Sequence, residues 1–343
     1  MDRANLDWTN LPFGYVKTDC HLEYIFRDGK WDGGKIVYDD MVQLSMAATC
    51  LHYGQECFEG IKVFENKDGK VTIFRVEENA RRMIRSAEKL LMAPFPEDMF
   101  IKACTRVVQL NKRYIPPYGT NATLYIRPLL IGISPLVGVK PASEYMFLVF
   151  ATPVGPYFKE SLKPISLMIE ESMDRAAPDG LGDVKVGGNY AASLRVQKKA
   201  QELGFKDALY LDPKEKKYIE ESSPANFFGI TKDKRFVTPD SNAILASITN
   251  DSLQVIAEKE MGMKVEKRKI PVEEIFEFKE AGLSGTAAII APIGKISWKG
   301  KTVTYLNEGD CGKTCKELYT KLTDIQFGRA PDKFGWNHVI PME

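Results

Sequence analysis

Gly180-Leu181-Gly182-Asp183-Val184-Lys185-Val186-Gly187-Gly188-Asn189-Tyr190 sets one lysine between two valines, in a run that also carries four glycines. Most other lysines of the chain stand in polar runs, so this one is expected to be enclosed. Desolvation lowers the pKa of an amine and makes it a usable nucleophile or base, and nearby glycines let a bound group approach the backbone closely. On spacing alone, the competing reading is an ordinary lysine on a flexible loop. The stretch fails as a dinucleotide fingerprint, because Lys185 stands where G-x-G-x-x-G needs its third glycine.

On either side of this loop, a strand is expected near 165–170 and a helix over about 191–203, stopped by Gly204. Beyond them, strands around 208–211 and 218–221 flank the charged turn 213–217, and 226–230 with 235–238 reads as a hairpin. Helices open near Ser247 and Pro271, and the small-residue run from Ser284 to Ile290 leads into a last β segment and a C-terminal helix. Upstream, Val71, Ile73 and Arg75 alternate with Thr72 and Phe74 as a strand. Met83, Ile84, Ala87, Leu90 and Leu91 then recur at helical spacing, with Arg82 near the first turns. Met99, Phe100, Ala103, Val107 and Leu110 mark a second helix, ended before Pro116-Pro117. In the strand at about 122–130, period two puts Tyr125 and Arg127 on one face and Leu124 and Ile126 on the other. A strand at 145–151 follows, and Thr152-Pro153-Val154-Gly155-Pro156-Tyr157-Phe158 reads as an interdomain linker. The expected division is 1–151, a linker at 152–160, and 161–343, with α+β order in both halves.

Composition narrows the function. The 343 residues suit two domains, and 44% hydrophobic with 27% charged residues is far from a disordered composition. Lys and Arg number 47 against 46 Asp and Glu, so the net charge of +1 gives no field to attract nucleic acid or an anionic membrane. The most apolar stretch, 129–139, is too short for a membrane span and is broken by Gly132, Ser134, Pro135 and Gly138. The first residues carry Asp2 and Asp7 and no signal-like apolar core, so a cytoplasmic location is expected. Six cysteines without a C-x-x-C pair and only three histidines argue against a disulfide scaffold or a zinc site. Gly300-Lys301-Thr302 and Gly312-Lys313-Thr314 fail as phosphate loops, since Lys295 and Asn307 occupy the place of the required glycine.

Three further features could carry chemistry. Glu221 ends a strand before Ser222-Ser223-Pro224-Ala225-Asn226, and taken alone it reads as a rim carboxylate. Ser247-Ile248-Thr249-Asn250-Asp251 opens a helix with an N-cap serine. Such an end can bind phosphate through its N–H groups and dipole, although capping alone accounts for the serine. Ser284-Gly285-Thr286-Ala287 could offer backbone N–H groups to a carboxylate, with a tight strand entry as the alternative.

Taken in order, these pieces resemble the branched-chain amino acid aminotransferases, pyridoxal 5′-phosphate enzymes of fold type IV. Lys185 stands in K-x-G-G-N-Y, Glu221 follows 36 residues later, Asn226 five beyond it, then Ile248-Thr249 at a helix start and S-G-T-A at 284–287. The first half agrees through His52-Tyr53-Gly54-Gln55-Glu56-Cys57-Phe58-Glu59-Gly60-Ile61-Lys62, Asn79-Ala80-Arg81-Arg82-Met83 and Leu124-Tyr125-Ile126-Arg127-Pro128. The resemblance runs from about residue 10 to the C-terminus.

The resemblance implies a two-domain α+β enzyme, with a smaller α/β N-terminal domain, a larger C-terminal domain and the cofactor held between them. It also implies a homodimer that reversibly transfers the amino group of leucine, isoleucine or valine to 2-oxoglutarate. Lys185 would bind the cofactor covalently and shuttle a proton between substrate Cα and cofactor C4′. Glu221 would pair with the pyridine nitrogen and keep it protonated, which makes the ring an electron sink. Tyr190 would bond the ring's phenolate oxygen, and Arg82 with the N–H groups of Ile248 and Thr249 would bind the phosphate. Tyr53 and the backbone of Thr286 and Ala287 would hold the substrate α-carboxylate, with Thr286 also at the cofactor. Phe58 and Tyr125 would wall an apolar pocket, and Arg127 would admit the second carboxylate of glutamate.

The same Phe58, Tyr125 and Arg127 argue against a D-amino acid aminotransferase or an aminodeoxychorismate lyase, which share the lysine and glutamate. From other classes, a catalytically silent binding protein is opposed by the intact Lys185, Glu221 and Arg82, and an NTP-dependent enzyme by the failed spacings. Two departures from the family pattern stand out. Pro224 offers no N–H where relatives often have Gly or Thr, and Ala288 and Ala291 stand where animal members carry a redox-sensitive C-x-x-C.

Overall fold

The alternation at Leu124 to Arg127 lies at the centre of a nine-stranded antiparallel sheet, in a computed structural model that describes residues 2–156, 162–307 and 309–342. Strand Thr123–Gly132 pairs with Tyr145–Val154 on one side, and with Ile61–Glu65 and Glu56–Phe58 on the other. Leu124 and Ile126 are fully buried and share a core with Met83, Phe100 and Val107 of the helices Val76–Lys89 and Glu97–Leu110. Burying one such side chain contributes about 1.5–3 kcal/mol. A one-residue slip would turn Arg127 into that core, so the register is held by the apolar half of the strand.

The chain divides into two compact units, Met1–Tyr157 with Val184–Gly187 and Asp324–Glu343, and Phe158–Asp183 with Gly188–Thr323. Two segments expected in the second half therefore belong to the first unit. Asn337–Ile340 extends the first sheet by pairing with Val71–Phe74, and Val184 and Val186 are buried in the first core. The expected linker also begins too early. Thr152, Pro153 and Val154 finish a strand opposite Tyr125, Leu124 and Thr123. Pro153 is tolerated because the neighbouring strand His21–Arg27 pairs only with the Tyr145 to Val149 portion, which leaves one side of the strand end unpaired by the sheet. Residues 157–160 of that linker lie outside the described residues.

The second unit carries a mixed sheet in which Ile165–Glu170 runs parallel to both Asp207–Leu211 and Ile289–Trp298. From Ile289–Trp298 the order continues through Glu280–Gly285 to Asn226–Ile230, and the pair Glu221↔Asn226 closes the path onto Ile219–Ser222. Leu167, Leu209, Phe227, Leu283 and Ile293 pack in the core of this ring.

Two helix expectations change. The helix after the lysine is Gly187–Glu202, so its first turn begins at Gly187, where the N–H donates to the Glu56 carboxylate. Glycine is poor inside a helix, but at an end supplied with an acceptor the cost is small. The helix opening at Pro271 is one 3-10 turn, Val272–Phe276. Gly312-Lys313-Thr314 leads into the helix Lys313–Gln326, where buried Glu280 accepts the N–H groups of Thr314 and Cys315 at 2.9 and 3.0 Å. The chain's own carboxylate thus takes the place a phosphate would need. No helix among the described residues is long and apolar enough to cross a membrane.

Candidate active site

Lys185 lies on an extended strap between Val184 and Val186, both turned into the first core. Its N–H donates to Ser86 Oγ and its carbonyl accepts from the Phe58 N–H, each at 3.1 Å. Helix and strand therefore fix the strap from two sides. The Nζ atom stands 4.7 Å from the centre of the Phe58 ring. Desolvation, assisted by the Arg82 guanidinium and opposed by Glu59, pushes the Lys185 ammonium down to about 8. Lys185 is half-buried, and its backbone is held by Ser86 and Phe58 rather than carried on a free loop.

Arg82 does not stand alone. Its Nε and Nη2 donate to the two oxygens of Glu59 at 2.7 Å each, and Asn79 Nδ2 donates to Oε2 at 2.7 Å. Burial alone would raise the Glu59 carboxyl, but Arg82, Lys185 and Asn79 outweigh it and hold the group below its ordinary range. A fork of this kind fixes the guanidinium plane as well as its position.

Arg127 lies over apolar rings, with Cζ 4.9 Å from the centre of Phe58 and 5.5 Å from that of Tyr125. Its Nη2 is 3.5 Å from the Tyr125 hydroxyl, and the Phe13 ring meets Tyr125 edge-on at 5.6 Å. Gly60 is required here, since a Cβ at that position would collide with the Tyr125 hydroxyl. The strand face thus joins aromatic walls to one cation. Tyr53 is placed differently, 39% exposed with its hydroxyl donating to the Val137 carbonyl.

In the second unit, Glu221 is 2% exposed, which corrects the rim reading. Barrel closure puts it opposite Asn226, whose Nδ2 donates to Oε2 at 3.1 Å, while the Leu245 N–H donates to Oε1 at 2.9 Å. Arg175 Nη1 forms an ion pair with Oε1 at 2.8 Å. Ser247 caps the helix Ile248–Lys259 by accepting the Asn250 N–H at 3.1 Å, and Thr249 is buried in its first turn. Thr286 and Ala287 occupy the turn after Glu280–Gly285, and Tyr190 lies in the first turn of Gly187–Glu202. The turn at Pro224 closes through the Ser222 N–H and the Ala225 carbonyl at 3.0 Å, so it needs no N–H from residue 224.

Sequence reasoning assigned nothing to Glu59, Glu56, Phe13 or Arg175. Glu59 had a signal, a charge between two apolar strand segments in Phe58-Glu59-Gly60-Ile61. Arg175 had little, since its partner is 46 residues away in the chain.

A family model described as amino-transferase class IV matches residues 56–296, which include every side chain above except Tyr53 and Phe13. The chain belongs to the class IV aminotransferases. This aminotransferase is 48% identical over 337 residues to a branched-chain-amino-acid aminotransferase of Haemophilus influenzae, covering 97% of this chain and 98% of that one. It is similar in structure to the branched-chain amino acid aminotransferase of Escherichia coli, with TM-score 0.76, 28% identity, and 95% and 100% of the two chains covered. It is also similar to a branched-chain amino acid aminotransferase from the organism abbreviated T.th. Two forms of that enzyme, complexed with N-(5′-phosphopyridoxyl)-L-glutamate and with 4-methylvaleric acid, each give TM-score 0.73 and 27% identity over 95% of this chain and 100% of that one.

Class IV aminotransferases use pyridoxal 5′-phosphate, and the residues of this chain suit it. The aldehyde suits a lysine whose amine loses its proton readily, and burial with the neighbouring Arg82 guanidinium pushes that of Lys185 down to about 8. A phosphate suits a held guanidinium or a helix N-terminus, and a ring N–H suits a buried carboxylate acceptor.

Proposed function

We propose that this aminotransferase moves the amino group of leucine, isoleucine or valine reversibly to 2-oxoglutarate, as a cytoplasmic homodimer. The observation that carries the reading is Arg127 lying against Phe58 and Tyr125. One surface must meet a bare hydrocarbon in one half-reaction and a γ-carboxylate in the other. An open, unpaired charge would harm the first, whereas a guanidinium screened by rings serves both. The two complexes of the T.th. enzyme, one with a glutamate derivative and one with a branched aliphatic acid, support a site of this dual character in that protein.

When bound, pyridoxal 5′-phosphate supplies the electron sink that makes the substrate Cα proton removable. Lys185 Nζ would take that proton and return it at C4′. Arg82 and the N–H groups of Ile248 and Thr249 would hold the phosphate, Tyr190 would bond the ring oxygen, and Glu221 would accept the ring N–H. Tyr53 and the N–H groups of Thr286 and Ala287 would orient the α-carboxylate, with Thr286 also touching the cofactor.

An exposed apolar patch supports the homodimer. Met46, Val137 and Val139 are 88%, 89% and 83% exposed, on segments tied together by the Leu136 N–H to Ala47 carbonyl bond. Patches of this kind mark protein interfaces.

The test is Arg127→Met in single-turnover half-reactions followed by cofactor absorbance. Glutamate should lose about 2–4 kcal/mol of transition-state binding, the usual scale for a hydrogen-bonded charged contact, and leucine much less. Equal losses for the two amino acids would reject Arg127 as the reader of the second carboxylate.

A further inference from the structure

Arg175 is 4% exposed, and its Nη1, which pairs with Glu221 Oε1 at 2.8 Å, also donates to the Ala243 carbonyl at 3.1 Å. Its Nε meets no acceptor among the described residues. Replacing a buried ion pair as a whole by apolar side chains of similar volume is often neutral, so net stability is a weak reason for Arg175 and Glu221 to be charged. The effect of Arg175 on Glu221 is the better account of its place.

The inference rests on the reading that Glu221 meets the ring nitrogen. One proton is then shared by two bases, the carboxylate and the nitrogen, and the two titrate as a unit. Away from water, a carboxylic acid beside an unprotonated nitrogen avoids separated charges and competes with the ionised arrangement. A cation 2.8 Å from the carboxylate reverses that preference. We propose that Arg175 is a positioning residue that keeps the shared proton on the ring nitrogen and off Glu221.

Leu245 N–H and Asn226 Nδ2 act in the same sense, at 2.9 and 3.1 Å, but neither carries a charge. The adjacent carboxyl on the strand, Glu220, is bonded to Ser241 Oγ at 2.7 Å and is pushed up by burial, so it offsets Arg175 weakly. Arg175 also ties down the Ala243 carbonyl, two residues before Leu245, and so steadies the loop that delivers the Leu245 N–H.

The experiment is the nitrogen-15 chemical shift of the ring nitrogen in holoenzyme loaded with ring-labelled pyridoxal 5′-phosphate. It is read at one pH for wild type, Arg175→Met, Arg175→Lys and Glu221→Gln. The expected result is a protonated signal in wild type that moves toward the unprotonated position in Arg175→Met and returns in Arg175→Lys, with kcat falling far more than KM changes. A signal that Glu221→Gln moves but Arg175→Met leaves in place overturns the proposal and keeps the reading of Glu221. A signal that Glu221→Gln does not move overturns both. If Arg175→Met does not fold, Arg175→Gln, which keeps a donor for Ala243 without the charge, carries the same expectations.

Discussion

Glu59 in the first unit and Glu221 in the second are buried in the same kind of company. Glu59 has Arg82 and Asn79 each at 2.7 Å, and Glu221 has Arg175 at 2.8 Å and Asn226 at 3.1 Å. They differ in how the arginine is used. Arg82 spans both oxygens of Glu59 with two nitrogens, whereas Arg175 forms its ion pair at Oε1 of Glu221, an oxygen that also accepts the Leu245 N–H. The forked pair directs the carboxylate's bonding capacity onto the guanidinium and sets the plane of Arg82. The Arg175 pair stabilises the charge on Glu221, whose oxygens also accept two neutral donors, Asn226 Nδ2 and the Leu245 N–H. On the proposed reading the working member is the arginine in the first group and the carboxylate in the second, so burial and pairing alone do not say which partner meets the cofactor.

Lys185→Ala tests the first group most severely, since the lysine takes its depressed proton affinity partly from Arg82. Amino transfer from leucine should be abolished, because loss of a positioned acid–base alone costs about 10²–10⁴ and the covalent attachment goes with it. A borohydride-reduced digest carrying the pyridoxyl label on another lysine would remove Lys185 from the role.

Glu59→Gln should be the more damaging of the two carboxylate changes to the fold. Breaking a buried pair by removing one partner costs about 3–5 kcal/mol, here measured by urea denaturation. Glu59 also raises the proton affinity of Lys185, so its removal should move the midpoint of cofactor attachment to the cofactor-free protein to lower pH than in wild type. An unchanged midpoint would mean that Glu59 does not act on the lysine.

Glu221→Gln should lower kcat by roughly 10² or more, the scale of a lost electrostatic partner, with a smaller loss of stability than Glu59→Gln. If the two variants lost the same stability and the same activity, the distinction between the two pairs would fail.

The smallest effect concerns Lys62, which is 7% exposed on strand Ile61–Glu65, opposite Tyr125. Burial pushes its ammonium from an ordinary 10.5 down to about 7. Between those values the unfolded chain binds more protons than the folded one, so stability rises with pH across that window and is lost as pH falls through about 7. In cofactor-free protein, Lys62→Met should flatten that rise, as read by denaturation midpoints from pH 7 to 10.5.

Legibility differed by mechanism. Strand Thr123–Gly132 and helices Val76–Lys89 and Glu97–Leu110 were readable because their apolar periods coincide with the faces they bury. The start of Gly187–Glu202 was misplaced because two glycines read as loop until Glu56 supplies the acceptor for the first N–H. Pro153 read as a linker because its cost in a strand depends on whether a neighbour lies on its N–H side, which only the sheet order reveals. Tyr53 is grouped with the substrate residues by its motif alone, and no local pattern told that its hydroxyl donates to the Val137 carbonyl.

By itself the sequence determined the ordered chemical groups: an amine enclosed by valines, a carboxylate at a strand end, a capped helix start, and an alternating strand with rings and one guanidinium on a single face. Period, capping and turn chemistry act within a few residues, so a one-dimensional pattern carries them. Only the tertiary structure decided that Glu59 holds Arg82, that Arg175 faces Glu221, that Val184 to Gly187 straps onto the first unit, and that Asn337–Ile340 completes its sheet. Those contacts join residues far apart in the chain. Electrostatic compensation and strand pairing depend on distance in space, and no local pattern encodes that distance.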